Sequence, residues 1–445
     1  MMIKRNAKWL SDAVGGKLNA TESLEFNGVS IDSRKIDQGV LFIPFKGENV
    51  DGHKYVQQAL ESGASLALWQ QDVPLPEGLS VIVVEDTLTA LQQMAKAYLN
   101  EVSPKVIAVT GSNGKTTTKD MIEAVLKPNF KVKKTQGNYN NEIGLPLTIC
   151  QLDEDTEISI LEMGMSGFGE IEFLSQLAQP SIAAITNIGE SHMRDLGSRE
   201  GIAKAKFEIT AGLNGPLLYD GDEPLLKPLV DQYSGEVLSI GFNESNDLYI
   251  HHLVSLEQSI EFDINDTSYS VSTLGAHNAR NATIAIQVGK LLGLSDETIQ
   301  QNIQSLSLTG MRMERIQGIN GSLLINDAYN ASPTSMKAAI DTVSQMQQAR
   351  KIIVLSDVLE LGPDEERYHR EVGRYFEDQG IDLLLTYGDA AKYISDEAKQ
   401  FTEVKHFETK DEIADYLKCV LNHHTVCLFK ASRGMALETI ITSLK

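Results

Sequence analysis

Positive charge is in short supply in this sequence: 39 lysines and arginines face 61 aspartates and glutamates over 445 residues, a net charge of −22. A field of that sign repels phosphate backbones and anionic lipid, which argues against nucleic-acid and membrane partners. A small phosphate-bearing ligand would have to be gripped locally, by a few cations and backbone N–H groups. Cysteine is scarce as well. Cys150, Cys419 and Cys427 form no CxxC pair, and their odd number argues against a disulfide framework; a reducing compartment is expected. Long apolar runs are missing too. Nothing approaches the roughly 18 residues of a membrane span, and residues 1–16 lack the apolar stretch of a secretory leader. The chain is therefore expected to be cytoplasmic, with no membrane insertion.

What is present is a repeated alternation of strand and helix, with no low-complexity tract. At roughly 150 residues per domain, the length suggests about three domains. The first, 1–102, has apolar runs at 40–44, 65–69 and 81–84 and helical stretches at 55–62 and 88–99. It ends at Val102-Ser-Pro104, since proline disfavours helix in the residue before it. The second, 103–313, reads as buried strands at 105–109, 157–162, 181–188 and 216–219 with helices between them. Antiparallel alternation over 248–273 and helices at 278–292 and 295–306 complete it. The third, 314–445, has strands at 322–326, 351–356, 382–387 and 425–430. Short apolar runs separated by helices imply parallel sheets covered on both faces. The expected class is α/β: a central P-loop parallel-sheet ATPase domain, flanked by a small N-terminal α/β domain and a C-terminal Rossmann-like domain.

The P-loop is Thr110-Gly-Ser-Asn-Gly-Lys-Thr116, entered from a strand and left by a helix. That arrangement turns consecutive N–H groups and the positive end of a helix dipole towards an anion. Gly111 and Gly114 permit close approach, Lys115 reaches the β- and γ-phosphates, and the Thr116 hydroxyl can ligate Mg²⁺. The standard pattern has glycine five positions before the Gly-Lys pair; here that position is Val109. A P-loop alone leaves motor, switch, kinase and ligase open. Glu162 ends an apolar strand, where P-loop proteins hold their metal. His192 follows the next strand in Gly189-Glu-Ser-His192, and neutral imidazole is a good metal ligand. Taken alone it would be read as a surface imidazole. Ser198 is a helix N-cap ahead of Lys204 and Lys206.

These residues together resemble the Mur ligases, which build the peptide of the bacterial cell-wall precursor. Thr110-Gly-Ser-Asn-Gly-Lys-Thr-Thr117 with its preceding valine, Thr186-Asn-Ile-Gly-Glu-Ser-His192, Ala205-Lys206 and Gly275-Ala-His-Asn-Ala-Arg-Asn281 carry the resemblance in order. It implies that Gly111, Ser112, Asn113, Gly114, Lys115, Thr116 and Thr117 hold the phosphates of ATP, and that Asn278 and Asn281 meet the adenine. It places Thr116 and Glu162 on one Mg²⁺, His192 on a second, and Lys206 as a carbamate that bridges metal. Lys204 lies on another helical face. Arg312 in Gly310-Met-Arg-Met-Glu314 would reach the γ-phosphate as domains close, and Asp327 would lie near the ribose. The catalytic set is then Lys115, His192, Lys206 and Arg312.

Further motifs resemble the branch of the family that adds D-alanyl-D-alanine to UDP-N-acetylmuramoyl-tripeptide. They are Gly137-Asn-Tyr-Asn-Asn-Glu-Ile-Gly-Leu-Pro-Leu147, Asp327-Ala-Tyr-Asn-Ala-Ser-Pro333, Asp357-Val-Leu-Glu-Leu-Gly362 with His369, and Lys430-Ala-Ser-Arg-Gly-Met435. On that resemblance Asn138, Asn140, Asn141, Asn330 and Ser332 contact substrate. Ser30, Ser33, Arg34 and Lys46 resemble the region that holds the UDP end, where the two cations can pair with a diphosphate. A monomer acting on small molecules is implied. The alternatives are a ligase for a single amino acid, a folylpolyglutamate synthase-like ligase, or a P-loop ATPase that binds partners.

Overall fold

A computed structural model describes residues 2–47 and 51–445. Its strands form sheets of two, five, nine and six, all covered by helices in the manner the alternation implies. The nine-stranded sheet is the framework of the molecule. Strand Lys105–Thr110 lies in it between Ile158–Glu162 and Ile182–Ile185, parallel to both. Alternate side chains explain why these strands are apolar throughout. Val106, Ala108, Leu161, Ala183 and Ile185 enter one core, whereas Ile107, Val109, Ile160, Ile182 and Ala184 enter the other. Helices Lys115–Leu126, His277–Leu291 and Asp296–Ile303 contribute to the second of these cores. At the far edge the sheet ends in the antiparallel strands Leu248–Ser255, Ile260–Ile264 and Thr267–Val271.

The register fixes where ligands can gather. Glu162 pairs with Val109 and Ile185 with Thr110, so three parallel strands end side by side. The strand order reverses direction at Lys105–Thr110, which leaves a crevice beyond the carboxyl ends. The strand read from the sequence as 181–188 stops at Ile185. Thr186 and Asn187 leave the ladder because they bond the phosphate loop instead: Ser112 N donates to Asn187 O (3.1 Å), and Asn113 N to Asn187 Oδ1 (2.9 Å).

The N-terminal sheet has five strands rather than three, in the order Lys17–Asn19, Val81–Val84, Leu66–Gln70, Leu41–Phe42, Val29–Ser30. Helix Thr87–Val102 starts at the Asp86 cap and ends at Ser103 in the left-handed region, just before Pro104. It buries Ala90, Leu91, Met94, Ala95, Tyr98 and Leu99, the stripe expected of a 3.6-residue period. Part of that stripe packs on helix Gly144–Ile149 of the next unit, and one hydrophobic core runs from Ile3 to Leu226 without a break at residue 102. Hydrogen bonds cross there too, from Ile3 N to Cys150 O (3.0 Å) and from Tyr98 Oη to Leu152 O (2.8 Å).

The six-stranded sheet runs Glu314–Gln317, Leu323–Asn326, Thr425–Lys430, Arg350–Ser356, Leu383–Tyr387, Glu403–Phe407. Only its first strand is antiparallel. Ser332 caps helix Pro333–Ser344 with a reciprocal bond to Ser335, and Pro333 occupies the first turn, where no donor is lost. Among the described residues, no helix is long and apolar enough to cross a membrane.

Replacing Tyr98 with phenylalanine strands the buried Leu152 carbonyl. We expect a loss of about 1–3 kcal/mol, read from the urea midpoint of the transition that unfolds the N-terminal and central units together.

Candidate active site

The phosphate loop is shaped by two glycines in conformations that L side chains rarely adopt, Gly111 at φ 149° and Gly114 at φ 81°. Space is as tight as the backbone. A Cβ on Gly111 would stand 1.9 Å from Thr186 Oγ1, and one on Gly114 would stand 2.8 Å from Asn281 Oδ1. Lys115 opens the following helix and folds back, donating from Nζ to Gly111 O at 2.7 Å. Its ammonium thus sits over the loop where phosphate oxygens would lie.

Glu162 forms the floor. Its carboxylate accepts from Thr116 Oγ1 (2.9 Å) and Asn140 Nδ2 (2.9 Å), and lies 3.4 Å from Lys119 Nζ. Burial pushes this carboxyl up, but Lys115 and Lys119 with the two hydrogen bonds overcome that and hold it below its ordinary value. Burial lowers the Lys115 ammonium, with Glu162 opposing and Arg312 assisting. Arg312 reaches across from the segment before the C-terminal sheet and donates from Nη2 to Thr116 Oγ1 at 2.8 Å. Its guanidinium lies 4.3 Å from the Tyr329 ring centroid, a stacking that fixes the planar group.

His192 follows at φ 65°, with Nδ1 3.1 Å from Glu360 Oε2. Burial lowers its pKa and cationic charge at Lys206 and Lys115 lowers it further, with Glu360 and Asp195 opposing, so the balance favours the neutral imidazole. Helix Arg199–Phe207 starts at the Ser198 cap and carries Lys206 inwards, 2% exposed, while Lys204 faces solvent. Burial, and then the charge of Lys115, hold the Lys206 amine well below its ordinary pKa. Among the described residues, no carboxylate lies within 4.0 Å of it. A buried lysine without a counter-ion is costly as a cation, which favours the neutral amine. The neutral amine is the form able to add CO₂, as the carbamate implied by the family resemblance would require. The Thr116 hydroxyl and Glu162 carboxylate, which line the same cavity, are oxygen ligands of the kind a hard cation such as Mg²⁺ takes.

A cavity of about 610 Å³ gathers most of the site. It is lined by residues 112–117, Glu162, His192, Lys206, Arg312 and Asp327, and also by Asn138, Asn140, Asn141, Asn278, Asn281 and Asn330. Asn281 donates to Asn278 Oδ1 (2.8 Å) and accepts from Thr118 Oγ1 (3.2 Å), while Asn278 donates to Leu274 O (2.7 Å) and Thr273 Oγ1 (3.2 Å). One N–H on Asn281 and one lone pair on Asn278 remain, the donor and acceptor that an adenine edge requires. Asp327 binds Lys430 Nζ (2.5 Å) and accepts from Met313 N (3.1 Å).

Ser332 does not line the cavity. It bridges units instead, with Asn113 Nδ2 donating to its hydroxyl at 3.0 Å. Ser30, Ser33, Arg34 and Lys46 are also outside the cavity. Ser30 and residues 45–47 follow the carboxyl ends of adjacent parallel strands, a second sheet edge. There Arg34 is paired with Asp32 (2.8 Å) and Lys46 with Asp72 (3.2 Å), so a diphosphate would have to displace those partners.

Three family models match the chain: the Mur ligase family catalytic domain over 25–99, the Mur ligase middle domain over 109–289, and the Mur ligase glutamate ligase domain over 311–433. A Bacillus subtilis protein named UDP-N-acetylmuramoyl-tripeptide–D-alanyl-D-alanine ligase is 48% identical, covering 100% of this chain and 99% of that one. The chain belongs to the Mur ligase family. The Escherichia coli protein of the same name is 31% identical over 100% of this Mur ligase and 99% of its own length. Among solved structures, MurF from Acinetobacter baumannii superposes with a TM-score of 0.92 at 30% identity, covering 100% and 99% of the two chains. MurF from Thermotoga maritima in complex with ADP gives 0.84 at 28% identity, covering 94% and 96%. Both share the three-domain α/β architecture expected from the sequence.

Several contributors to this Mur ligase site were not singled out in the sequence. Lys119 lies one helical turn after Lys115, and that i, i+4 spacing on an otherwise apolar helix face was the available signal. Glu190 accepts from Thr334 Oγ1 (2.9 Å) and Glu360 meets His192; both contacts join residues far apart in the chain, so spacing gave no hint of them.

Neutralising Glu162 leaves two buried lysines without their shared carboxylate. Glu162→Gln should lower stability by about 3 kcal/mol in nucleotide-free protein, and the Glu162→Gln/Lys119→Met double variant should recover part of it, both measured by denaturant unfolding.

Proposed function

We propose that this Mur ligase uses ATP to join D-alanyl-D-alanine to UDP-N-acetylmuramoyl-tripeptide, through an acyl phosphate on the tripeptide's terminal carboxylate. The observation that carries the reading is the identity of 48%, over 99% of its length, to the Bacillus subtilis UDP-N-acetylmuramoyl-tripeptide–D-alanyl-D-alanine ligase. The cavity adds physical support, since it collects phosphate-binding groups and polar amides from two units of the fold. We assign residues 1–102 to the UDP-linked substrate, 103–313 to ATP and 314–445 to the incoming dipeptide, with Asn330 and Ser332 on the dipeptide side. Ser30, Ser33, Arg34 and Lys46 would hold the UDP end at the second sheet edge, and Asn138, Asn140 and Asn141 the peptide. The protein would act as a cytoplasmic monomer.

A carboxylate is a poor acyl donor, and phosphorylation gives it a leaving group. Two anions must therefore meet. The N–H groups of residues 111–117 and the Lys115 ammonium hold the phosphates in place, and Asn278 and Asn281 orient the base. Arg312, fixed against Tyr329, presents its guanidinium beside Thr116, where charge on the transferred phosphoryl group develops. Mg²⁺, held by Thr116, Glu162, His192 and a carbamate on Lys206, would supply further charge neutralisation. The dipeptide amine then attacks the acyl phosphate and inorganic phosphate leaves. A free α-amino group titrates near about 8, so roughly a tenth is already neutral at pH 7 and modest base assistance suffices.

Bonds already link the C-terminal unit to the loop, from Asn113 to Ser332 and from Thr334 to Glu190. Closing over the cavity excludes water that would hydrolyse the acyl phosphate.

The test is phosphate release with UDP-N-acetylmuramoyl-tripeptide supplied and the amine varied. D-alanyl-D-alanine should support turnover, and turnover with a single amino acid alone would overturn the reading. Arg312→Ala should lower kcat by about 100-fold or more with a small change in the KM for ATP, measured in the same assay.

A further inference from the structure

Far from the cavity, on the outer hairpins of the central sheet, two histidines and an aspartate converge. His251 and Asp263 are cross-strand partners between Leu248–Ser255 and Ile260–Ile264. On a regular strand His252 would point to the opposite face. It does not, because the register shifts by one residue between His251 and Val254 and His252 takes φ 49°. The bulge re-aims its ring to the face of its neighbour, a use to which bulges are often put. The result is three ligand atoms in a cluster: His251 Nδ1 and His252 Nδ1 are 3.1 Å apart, and they lie 4.0 and 2.8 Å from Asp263 Oδ2.

Two of the three, His251 and Asp263, have a partner behind them. His251 Nε2 is 2.6 Å from Asn265 O, a carbonyl that can only accept, so Nε2 carries the proton and Nδ1 of the neutral ring presents its lone pair. Ser268 Oγ donates to Asp263 Oδ1 at 2.6 Å, which leaves Oδ2 facing the histidines. Asn265 is itself fixed: Tyr249 N donates to its side chain (3.0 Å) and its own amide group donates to Asp247 O (3.0 Å). The Tyr249 ring stacks on His251 with centroids 4.7 Å apart. This is the outer-shell pattern that orients ligands in metal sites. In the neutral state a single ring proton, on His252, serves two acceptors.

We propose that His251, His252 and Asp263 form a binding site for a divalent transition ion of the Zn²⁺ type, separate from the catalytic centre. Bonds of about 2.0–2.1 Å to a tetrahedral Zn²⁺ set ligand atoms roughly 3.4 Å apart. The three observed separations, 2.8 to 4.0 Å, bracket that value, so binding needs small side-chain rotations and the shift of the His252 proton from Nδ1 to the outward Nε2. Two imidazoles and one carboxylate select Zn²⁺ over Mg²⁺ and Ca²⁺, which prefer oxygen. Solvent supplies the fourth ligand, since His252 is exposed. The site would also stiffen the strand that leads to Glu257, whose backbone oxygen accepts from Arg315 of the C-terminal unit.

Calorimetric titration of the full chain with ZnCl₂, in excess Mg²⁺ and ATP, tests this. One equivalent of Zn²⁺ should bind and resist the Mg²⁺; His252→Ala and Asp263→Asn should each remove it. Ser268→Ala should weaken it by about 10-fold. His251→Gln serves as a further check, and far-UV circular dichroism and turnover in Mg²⁺ should match the parent in every variant. An isotherm that is unchanged in His252→Ala and Asp263→Asn, or no Zn²⁺ uptake by the parent in excess Mg²⁺, overturns the proposal.

Discussion

Glu162 sits buried at the end of a strand, and the charges that keep it ionised come from the helix that follows the phosphate loop. Lys115 and Lys119 offer the compensation that burial demands, and Thr116 and Asn140 complete it with hydrogen bonds. Those contacts tie the end of one parallel strand to the first turn of the helix leaving its neighbour. Without them the loop glycines would have no fixed floor to face. Because Arg312 bonds the same Thr116 hydroxyl, the approach of the third unit is also referenced to this point. The ATP site and the inter-unit contact therefore share one electrostatic anchor.

Much of this was legible in the sequence, because its signals are local. The apolar strand at 105–109, the two glycines and the helix after them lie within a score of residues, and a sheet buried on both faces reads as an unbroken apolar run. Glu162 and Asp327 are strand-end acids, and their position is their signal. Lys206 was distinguished from Lys204 only by resemblance and by helical face; burial in the structure gives the physical reason for that choice. What was not legible depends on contacts between distant segments or on weak strands. Glu403–Phe407 is half polar because it is an edge, and Val29–Ser30 is two residues long, too short to show a period. Ile188 makes the strand read on past Thr186 and Asn187 in sequence, but those two residues leave it for the loop.

The proposed zinc site shows the same principle from the other side. Adjacent histidines on a strand carry no metal signature, since their rings should diverge. Only an extra residue in the ladder and a left-handed backbone bring the rings together, and neither is visible without the fold.

The unbroken core beneath residue 102 has a mechanical consequence. A unit whose helix is embedded in its neighbour's interior cannot swing without exposing Met94, Tyr98 and Leu99 to water. The C-terminal unit has one core of its own and shares a second with Leu274 and Met193 of the central unit, and polar bonds from Asn113 to Ser332 and from Thr334 to Glu190 lie alongside. The N-terminal unit and the face of the central sheet that it packs against are therefore mechanically one piece, held by a core that runs from Ile3 to Leu226.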